Sequence, residues 1–155
     1  MKGGAARDHL EATWQVCDRA AHWLKRSYEH SPQPPFTTLS DAEWDQLEAL
    51  SGRFARVTDL IVHKLLRALD RYELEETGTL LDSANRATKR GLIANPDVLR
   101  EFKEIRNEIV HEYAIEDLAG LYAEIHIATP DLLSLISTIE GYLSDRQLLK
   151  IPSRG

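Results

Sequence analysis

A run of helical spacing that begins at residue 41 is the feature that most constrains how this chain can fold. Ser40 and Glu43 form a capping-box pattern, in which a serine precedes the helix and a glutamate follows three residues later. The pattern predicts a helix over 41–72, about 45 Å long at 1.5 Å per residue, which suits the spine of a helical bundle. Gly52 interrupts it and predicts a bend or a close helix contact. The predicted apolar stripe is Trp44, Leu47, Leu50, Phe54, Val57, Ile61, Leu65, Ala68 or Leu69, and Tyr72.

The same periodicity predicts further helices on both sides of this spine. The proline-rich segment 31–35 should stop a first helix, and Gly91 should take the position after the third. Asn95 is expected to cap a fourth helix with Pro96 in its first position, and Thr129-Pro130-Asp131 is expected to separate the last two helices. No strand pattern competes. The sequence therefore predicts one all-α domain over 1–155, an antiparallel bundle of about five to six helices, with residues 1–5 and 146–155 frayed. The other predicted helices cover 6–29, 79–90, 116–127 and 130–144, besides the one that opens at Pro96.

Composition narrows the class of protein. No apolar run approaches the roughly 18 residues that a membrane span needs, and the N-terminal residues lack the apolar core of a secretory signal. The single cysteine, Cys17, fits a reducing cytoplasm and is expected to be a small core residue. The net charge of −6 argues against a dedicated DNA-binding module, because such modules usually carry a basic face. It does not argue against an enzyme that handles RNA briefly, and it also allows a basic partner.

The stretch from Arg106 to Tyr113 places chemically capable side chains inside an apolar helix pattern. On a helix, Arg106 lies about 40° from Phe102, which belongs to the apolar stripe. A guanidinium at that edge needs a carboxylate, backbone carbonyls or an anionic ligand. One alternative is that Arg106 only staples two helices together, and that His111 is a partly buried histidine near a helix end. On a straight helix Arg106 and His111 point about 140° apart, so they converge only if the helix ends or bends near 111, or if a second subunit contributes.

The arrangement Arg106-Asn107, then Val110-His111, then Tyr113 resembles a motif of the HEPN superfamily, which has an arginine, four residues, a histidine, one residue and a tyrosine. The chain looks most like the HepT-type toxins that pair with a minimal nucleotidyltransferase antitoxin. The likeness is tight over this motif and extends in general layout over residues 57–143. Residues 1–40 are less familiar.

The resemblance implies a cytoplasmic, metal-independent endoribonuclease toxin without a cofactor, acting on tRNA or mRNA. His111 and Arg106 would be catalytic, since histidine titrates near neutral pH and the guanidinium fork suits phosphoryl oxygens. Asn107 would support them. Cleavage by the RNA 2′-OH would leave a 2′,3′-cyclic phosphate and a 5′-hydroxyl. The resemblance also implies a homodimer with two motifs in one cleft, neutralised by a nucleotidyltransferase that adenylylates Tyr113. Alternatively, Tyr113 packs on Arg106.

Other candidates carry weaker signals. His63 and Lys64, together with Arg53, Arg56 and Arg67, could line an RNA-facing surface, although a solvated face is the favoured interpretation. Trp14, Trp23 and Trp44 are expected to make core or dimer contacts and not to stack on bases. The histidines show no metal-ligand spacing with Cys17 or with one another. Two rival functions stay open: a HEPN-like binding module for a nucleotidyltransferase without nuclease activity, and a helical interaction protein in which the motif is coincidental.

Overall fold

The computed structural model of the chain describes residues 2–73, 75–76, 78–111 and 117–150. Helices joined by loops and turns make up these residues, and no strand occurs among them, which confirms the predicted all-α class. The elements in chain order are α1 (Lys2–His30), α2 (Asp41–Leu60), a π-helical turn (Ile61–Leu65), α3 (Leu66–Tyr72), α4 (Leu80–Lys89), α5 (Asp97–Val110) and α6 (Leu118–Asp145). Since α2, the π turn and α3 are continuous, they form the one long helix that the sequence predicts over 41–72.

The long helix is the spine of the bundle. Its α2 part packs against α1, α5 and α6, and its α3 part packs against α1 and α4. The apolar stripe faces this centre, where Phe54 and Leu65 are completely buried. Phe54 meets Phe102 of α5 edge to face, with ring centroids 6.2 Å apart, which suits the quadrupoles of the two rings. The spine therefore determines where α5, with its candidate residues, can sit.

Local signals fix most helix boundaries. The Ser40 hydroxyl accepts a hydrogen bond from the Glu43 amide at 3.2 Å, and the Glu43 carboxylate accepts one from the Ser40 amide at 3.0 Å. Gly91 has a φ of 77°, a left-handed conformation that favours glycine after a helix. Asn95 acts one residue away from the expected register: α5 begins at Asp97, whose amide donates to the Asn95 side chain at 3.0 Å.

The irregularity in the long helix lies at the π turn and not at Gly52. A Cβ added at Gly52 would meet nothing within 4 Å, so no close helix contact explains this glycine. The π turn adds a residue to one turn and so changes which residues face the core. Ala68 and Leu69, which the sequence leaves as alternatives, are both buried as a result. Trp44 departs from the predicted stripe: it is 36% exposed and lies against Tyr122, with ring centroids 5.8 Å apart.

The predicted break at Thr129-Pro130-Asp131 is wrong, because α6 continues through Pro130 as one helix. Pro130 is exposed, so its ring lies on the solvent side of α6 and not in the core. The neighbouring Thr129 is fully buried and donates its hydroxyl to the carbonyl of Ile125 at 2.7 Å. A proline on the solvent side of a well-packed helix thus causes no chain reversal.

Part of each segment that is predicted to fray is helical or packs on the bundle in the described residues. α1 already begins at Lys2. After α6, Leu148 is 1% exposed and belongs to the core, and Lys150 lies 3.6 Å from the carboxylate of Glu11. Arg7 also donates to the carbonyl of Gln147. Residues 146–150 therefore pack back onto α1, whereas residues 151–155 lie outside the described part of the chain.

Cys17 is completely buried, which confirms the expected core position. Burial raises the pKa of its thiol to about 12, with a smaller contribution from the negative charge of Asp18. Among the described helices, none combines the length and the apolar character needed to cross a membrane.

Candidate functional site

Arg106 of α5 forms a close ion pair with Asp59 at the end of α2. The Arg106 Nε lies 2.9 Å from Asp59 Oδ1 and donates to Oδ2 at 3.1 Å, while Nη2 donates to the same Oδ2 at 3.0 Å. Two nitrogens on one edge of the guanidinium thus donate to a single carboxylate, and this arrangement fixes the plane of the guanidinium group. This pair meets the requirement that the sequence places on an arginine beside Phe102, and it is also the contact that the stapling alternative predicts.

The pair stays accessible to water. The side chains of Arg106 and Asp59 are 30% and 36% exposed, although Ile105 and Ile109 on the same helix are buried. The remaining Arg106 nitrogen, Nη1, donates to the side-chain oxygen of Asn107 at 3.3 Å. Arg106 and Asn107, which the sequence predicts to act together, are therefore joined directly, and the guanidinium sits at the boundary of the core and the solvent.

A histidine and a lysine extend this polar region along the same two helices. His63 lies in the π turn and Lys103 lies one turn before Arg106 on α5. The Lys103 Nζ is 3.0 Å from His63 Nε2, so a neutral imidazole accepts this hydrogen bond from the ammonium group. Together with Asp59, Asn107 and Arg106, these residues form what we call the Asp59 cluster.

The Asp59 cluster holds more positive than negative charge. Partial burial lowers the pKa of His63, and the positive charge of Lys103 lowers it further. Arg67 and Arg106 add to this effect, and Asp59 opposes it. Arg67 also has a buried Nε without a hydrogen-bond partner among the described residues. Three cations thus lower the pKa of this histidine and one carboxylate raises it, so the charged groups that act on His63 are positive on balance.

The π turn shapes the cluster. Asp59 is the second-last residue of α2, just before the turn, and His63 lies in the middle of the turn. π-helical turns are rare, and they occur frequently at functional sites because they change the direction of side chains locally. Here the turn lies directly opposite the part of α5 that carries Lys103 and Arg106.

His111 lies at the end of the same helix. α5 ends at Val110, and His111 has φ −102° and ψ 19°, outside the helical conformation. Its backbone amide donates to the carbonyl of Asn107 at 3.2 Å. The residue is exposed, so the partly buried alternative for it is wrong. The helix end fulfils one of the conditions under which Arg106 and His111 can converge. Tyr113 belongs to residues 112–116, which lie outside the described part of the chain.

Sequence reasoning missed Asp59 and Lys103 and favoured a solvated surface for His63. Two signals point to them in retrospect. Asp59 and His63 are four residues apart on one helix, and Lys103 and Arg106 are three apart on the other, the spacings at which side chains share a face. The sequence predicts that Arg106 needs a counter-charge. Which carboxylate supplies this counter-charge depends on which helices pack together.

Comparisons with known proteins found no matching family model, no matching curated protein and no matching solved structure. The resemblance to the HEPN superfamily therefore stays a prediction that rests on the motif. Within the described ranges, no three histidine, cysteine, aspartate or glutamate side chains lie close enough together to hold a metal ion.

Proposed function

We propose that this chain is a HEPN-type endoribonuclease toxin that cleaves RNA at the Arg106–His111 motif. The observation that carries the proposal is the partly exposed guanidinium of Arg106. Asp59 holds its orientation, Lys103 and Arg67 add positive charge near His63 in the same cluster, and the helix of Arg106 ends before the exposed His111. A purely structural ion pair needs neither the surplus cations nor a histidine at the open end of the helix.

The chemistry follows from these side chains. His111 takes the proton from an RNA 2′-OH, and the resulting oxygen attacks the adjacent phosphorus. The bond from phosphorus to the 5′-oxygen breaks, and that oxygen receives a proton. The products are a 2′,3′-cyclic phosphate and a 5′-hydroxyl. Arg106 stabilises the charge that accumulates on the phosphoryl oxygens in the transition state, and Asp59 and Asn107 keep the guanidinium in position.

Two further features belong to the proposal. The chain acts as a homodimer in which two copies of the motif share one cleft, so that one histidine serves as the base and the other as the acid. A nucleotidyltransferase antitoxin binds the toxin and adenylylates Tyr113, which adds bulk and negative charge to the motif. Both features come from the resemblance and not from the described residues.

A second candidate function is a binding module for a nucleotidyltransferase without nuclease activity. The observation that favours it is the ion pair itself, since Asp59 already satisfies much of the guanidinium of Arg106 without any substrate. In that case Arg106 holds α5 against α2, and His111 has no role in the chemistry.

A cleavage assay with the purified protein separates the two functions. A 5′-labelled structured RNA, such as bulk tRNA, is incubated with the wild type, His111→Ala and Arg100→Gln in the absence of added metal. Arg100 lies on the same helix, is exposed and pairs with Asp97 at 3.1 Å, so its variant controls for a change on α5. The proposal expects cleavage by the wild type and by Arg100→Gln, with a loss of about 100-fold or more for His111→Ala.

The chemical groups at the ends of the RNA product give a second test of the mechanism. The 3′ end of the product should carry a cyclic phosphate, which blocks extension until it is removed enzymatically. If the wild type leaves RNA intact but binds a nucleotidyltransferase, the binding module is the function. If cleavage survives in His111→Ala, the assignment of His111 is wrong.

A further inference from the structure

A groove between α1 and α2 carries a second, chemically distinct surface, whose lining contains no residue of the motif. Its volume is about 550 Å³, within the range of about 300–1,000 Å³ typical of ligand sites. The groove is lined mainly by three arginines together with a tryptophan, a valine and a glutamine. These residues are Arg19, Arg53, Arg56, Trp23, Val16 and Gln15. None of the lining residues is acidic. In a chain with a net charge of −6, such a local concentration of arginine marks a place suited to an anion.

Trp23 is the aromatic element of this groove. It is 45% exposed, although the sequence favours a core or dimer contact for it, whereas Trp14 on the same helix is 6% exposed. The guanidinium of Arg53 lies over the Trp23 ring, 5.4 Å from its centroid, and Arg53 Nη1 also donates to the Trp23 carbonyl and to the Ser27 hydroxyl. The arginine therefore holds the indole from one side, while much of the residue remains accessible.

An accessible indole beside arginines is the combination that binds single-stranded nucleic acid. Bases stack on aromatic rings, and arginines bind the phosphates between them. A second copy of this chain suits the groove less well. A two-fold symmetric contact would bring Arg19, Arg53 and Arg56 of both copies together, and like charges across an interface are unfavourable.

The groove leads towards the Asp59 cluster. Arg56 and Asp59 are three residues apart on α2, so they are neighbours on its surface with about 5–6 Å between their Cβ atoms. Asp59 in turn holds Arg106. A strand that leaves the groove past Arg56 thus arrives at the guanidinium that the proposed chemistry uses.

From these observations we infer that the α1–α2 groove binds a single-stranded segment of the RNA substrate, with a base stacked on Trp23 and adjacent phosphates on Arg19 and Arg56. This inference rests on the proposed ribonuclease function for the identity of the ligand as RNA. The groove serves as a substrate-positioning site, and it makes a single-stranded or unpaired region next to the cleaved bond a requirement for good substrates.

Binding measured separately from cleavage tests this assignment. Fluorescence anisotropy follows the binding of a labelled 10-nucleotide single-stranded RNA to the 155-residue His111→Ala variant, which retains every residue of the groove. Trp23→Leu in this background should weaken binding at least about fivefold, and Trp23→Phe should restore most of it because the ring is kept. Trp44→Leu is the matched control, since Trp44 is the other part-exposed tryptophan and lies outside the groove.

Salt dependence tests the arginines. Arg56→Gln should reduce the slope of log Kd against log salt concentration by about 0.7, the value expected for each phosphate that a protein neutralises on a single strand. Arg100→Gln, the same change of charge on α5, should leave the slope unchanged. Equal losses of affinity for the groove and control variants would overturn the assignment, because they would show a general charge effect and not a site.

Two further arms distinguish this inference from the proposed function. If the wild type cleaves RNA but Trp23→Leu neither weakens binding nor slows cleavage, the groove assignment fails and the ribonuclease proposal stands. If groove variants weaken RNA binding while the wild type cleaves nothing, the groove assignment stands and the ribonuclease proposal fails. DNA of the same sequence, if bound as tightly as RNA, would overturn RNA as the specific ligand.

Discussion

Two clusters of arginine and aspartate lie on the long helix, one on each side of the π turn, and they differ in burial and in charge balance. In the Asp70 cluster, Asp70 of α3 is 1% exposed and accepts from Arg86 at 3.1 Å and from Arg90 at 2.7 Å. Arg90 also reaches Glu73 at 3.0 Å. Arg86 also lies 3.8 Å from Glu75. Three carboxylates thus face two guanidinium groups. In the Asp59 cluster, Asp59 faces Arg106 with further cations nearby, and both partners are about one-third exposed.

This difference suggests different roles for the two clusters. The buried Asp70 cluster stabilises the fold, whereas the partly exposed Asp59 cluster is available to a ligand. Burial opposes the charge on Arg90, but hydrogen bonds and attraction from Asp70 and Glu73 outweigh it and raise the pKa of Arg90. That cluster satisfies its own charges and connects α3 to α4. The Asp59 cluster has a net positive charge, and its members are partly or fully exposed to solvent. The following changes test this comparison, starting with the largest expected effect.

Asp70→Asn should lower the free energy of unfolding by about 3 kcal/mol, because it removes the buried carboxylate that two guanidinium groups share. Asp59→Asn should lower it by less than about 1 kcal/mol, since the Asp59 ion pair is exposed to water. Urea unfolding followed by circular dichroism measures both values. Similar losses for the two variants would mean that the clusters do not differ in structural importance.

Arg106→Gln should reduce RNA cleavage about 100-fold, because the charge that stabilises the transition state is lost, while the folded protein stays nearly as stable. Arg90→Gln should behave in the opposite way, with a loss of stability and an unchanged cleavage rate for each folded molecule. Cleavage rates are divided by the folded fraction measured in the same buffer. A loss of activity in Arg106→Gln that merely follows its folded fraction would speak against a catalytic role.

Asp59→Asn should tighten RNA binding by up to about fivefold, equivalent to roughly 1 kcal/mol for one unit charge near water, because it removes a carboxylate beside the phosphates. The same variant should slow cleavage several-fold, since Arg106 loses the partner that orients it. Anisotropy in the His111→Ala background gives the binding change, and single-turnover cleavage gives the rate. Binding that weakens instead would show that Asp59 organises the RNA site more than it repels the ligand.

Lys103→Gln should raise the pKa of His63, because it removes the nearest positive charge that lowers this pKa. In the wild type the folded-state pKa lies below the value of about 6.5 expected in the unfolded chain. The unfolded state therefore binds more protons between the two values, and stability falls as pH drops below about 6.5. Lys103→Gln should reduce that fall.

An NMR titration of the His63 ring and unfolding curves at several pH values measure both effects. Lys64→Gln is the control, because Lys64 lies in the same turn, is exposed and does not shift the pKa of His63. An unchanged titration of His63 in Lys103→Gln would show that Lys103 does not act on the His63 ring as the distance between them implies.

Regular features of the fold can be predicted from the sequence, because they depend on short-range spacing. Most of the apolar stripe of the long helix, the capping box at Ser40 and the glycine after α4 follow from neighbouring residues alone. The predictions for Pro130 and Leu148 are wrong for the same reason. Whether a proline breaks a helix, and whether a leucine near the end of the chain is buried, depends on which side of the element packs against the rest of the molecule.

The candidate site is predictable to a smaller extent. The motif identifies Arg106, Asn107 and His111, and the apolar stripe shows that Arg106 needs a counter-charge. Asp59 cannot be identified in this way, because many carboxylates are available and only the packing of α5 on α2 selects one. The exposure of Trp23 follows from its spacing, since it lies one position, or about 100°, from the buried Leu24 on α1. The arginines beside Trp23 depend on how α1 packs on α2, which the sequence does not show.

The π turn has a geometric consequence for the whole spine. In an uninterrupted α-helix, residues 59 and 70 would be separated by 11 positions and would point in nearly the same direction, about 20° apart. The turn at Ile61–Leu65 winds more widely and rotates everything after it. The two aspartates thus face different neighbours, α5 for Asp59 and α4 for Asp70. A single additional residue in one turn lets one continuous rod present an acidic group to the solvent boundary and another to the interior.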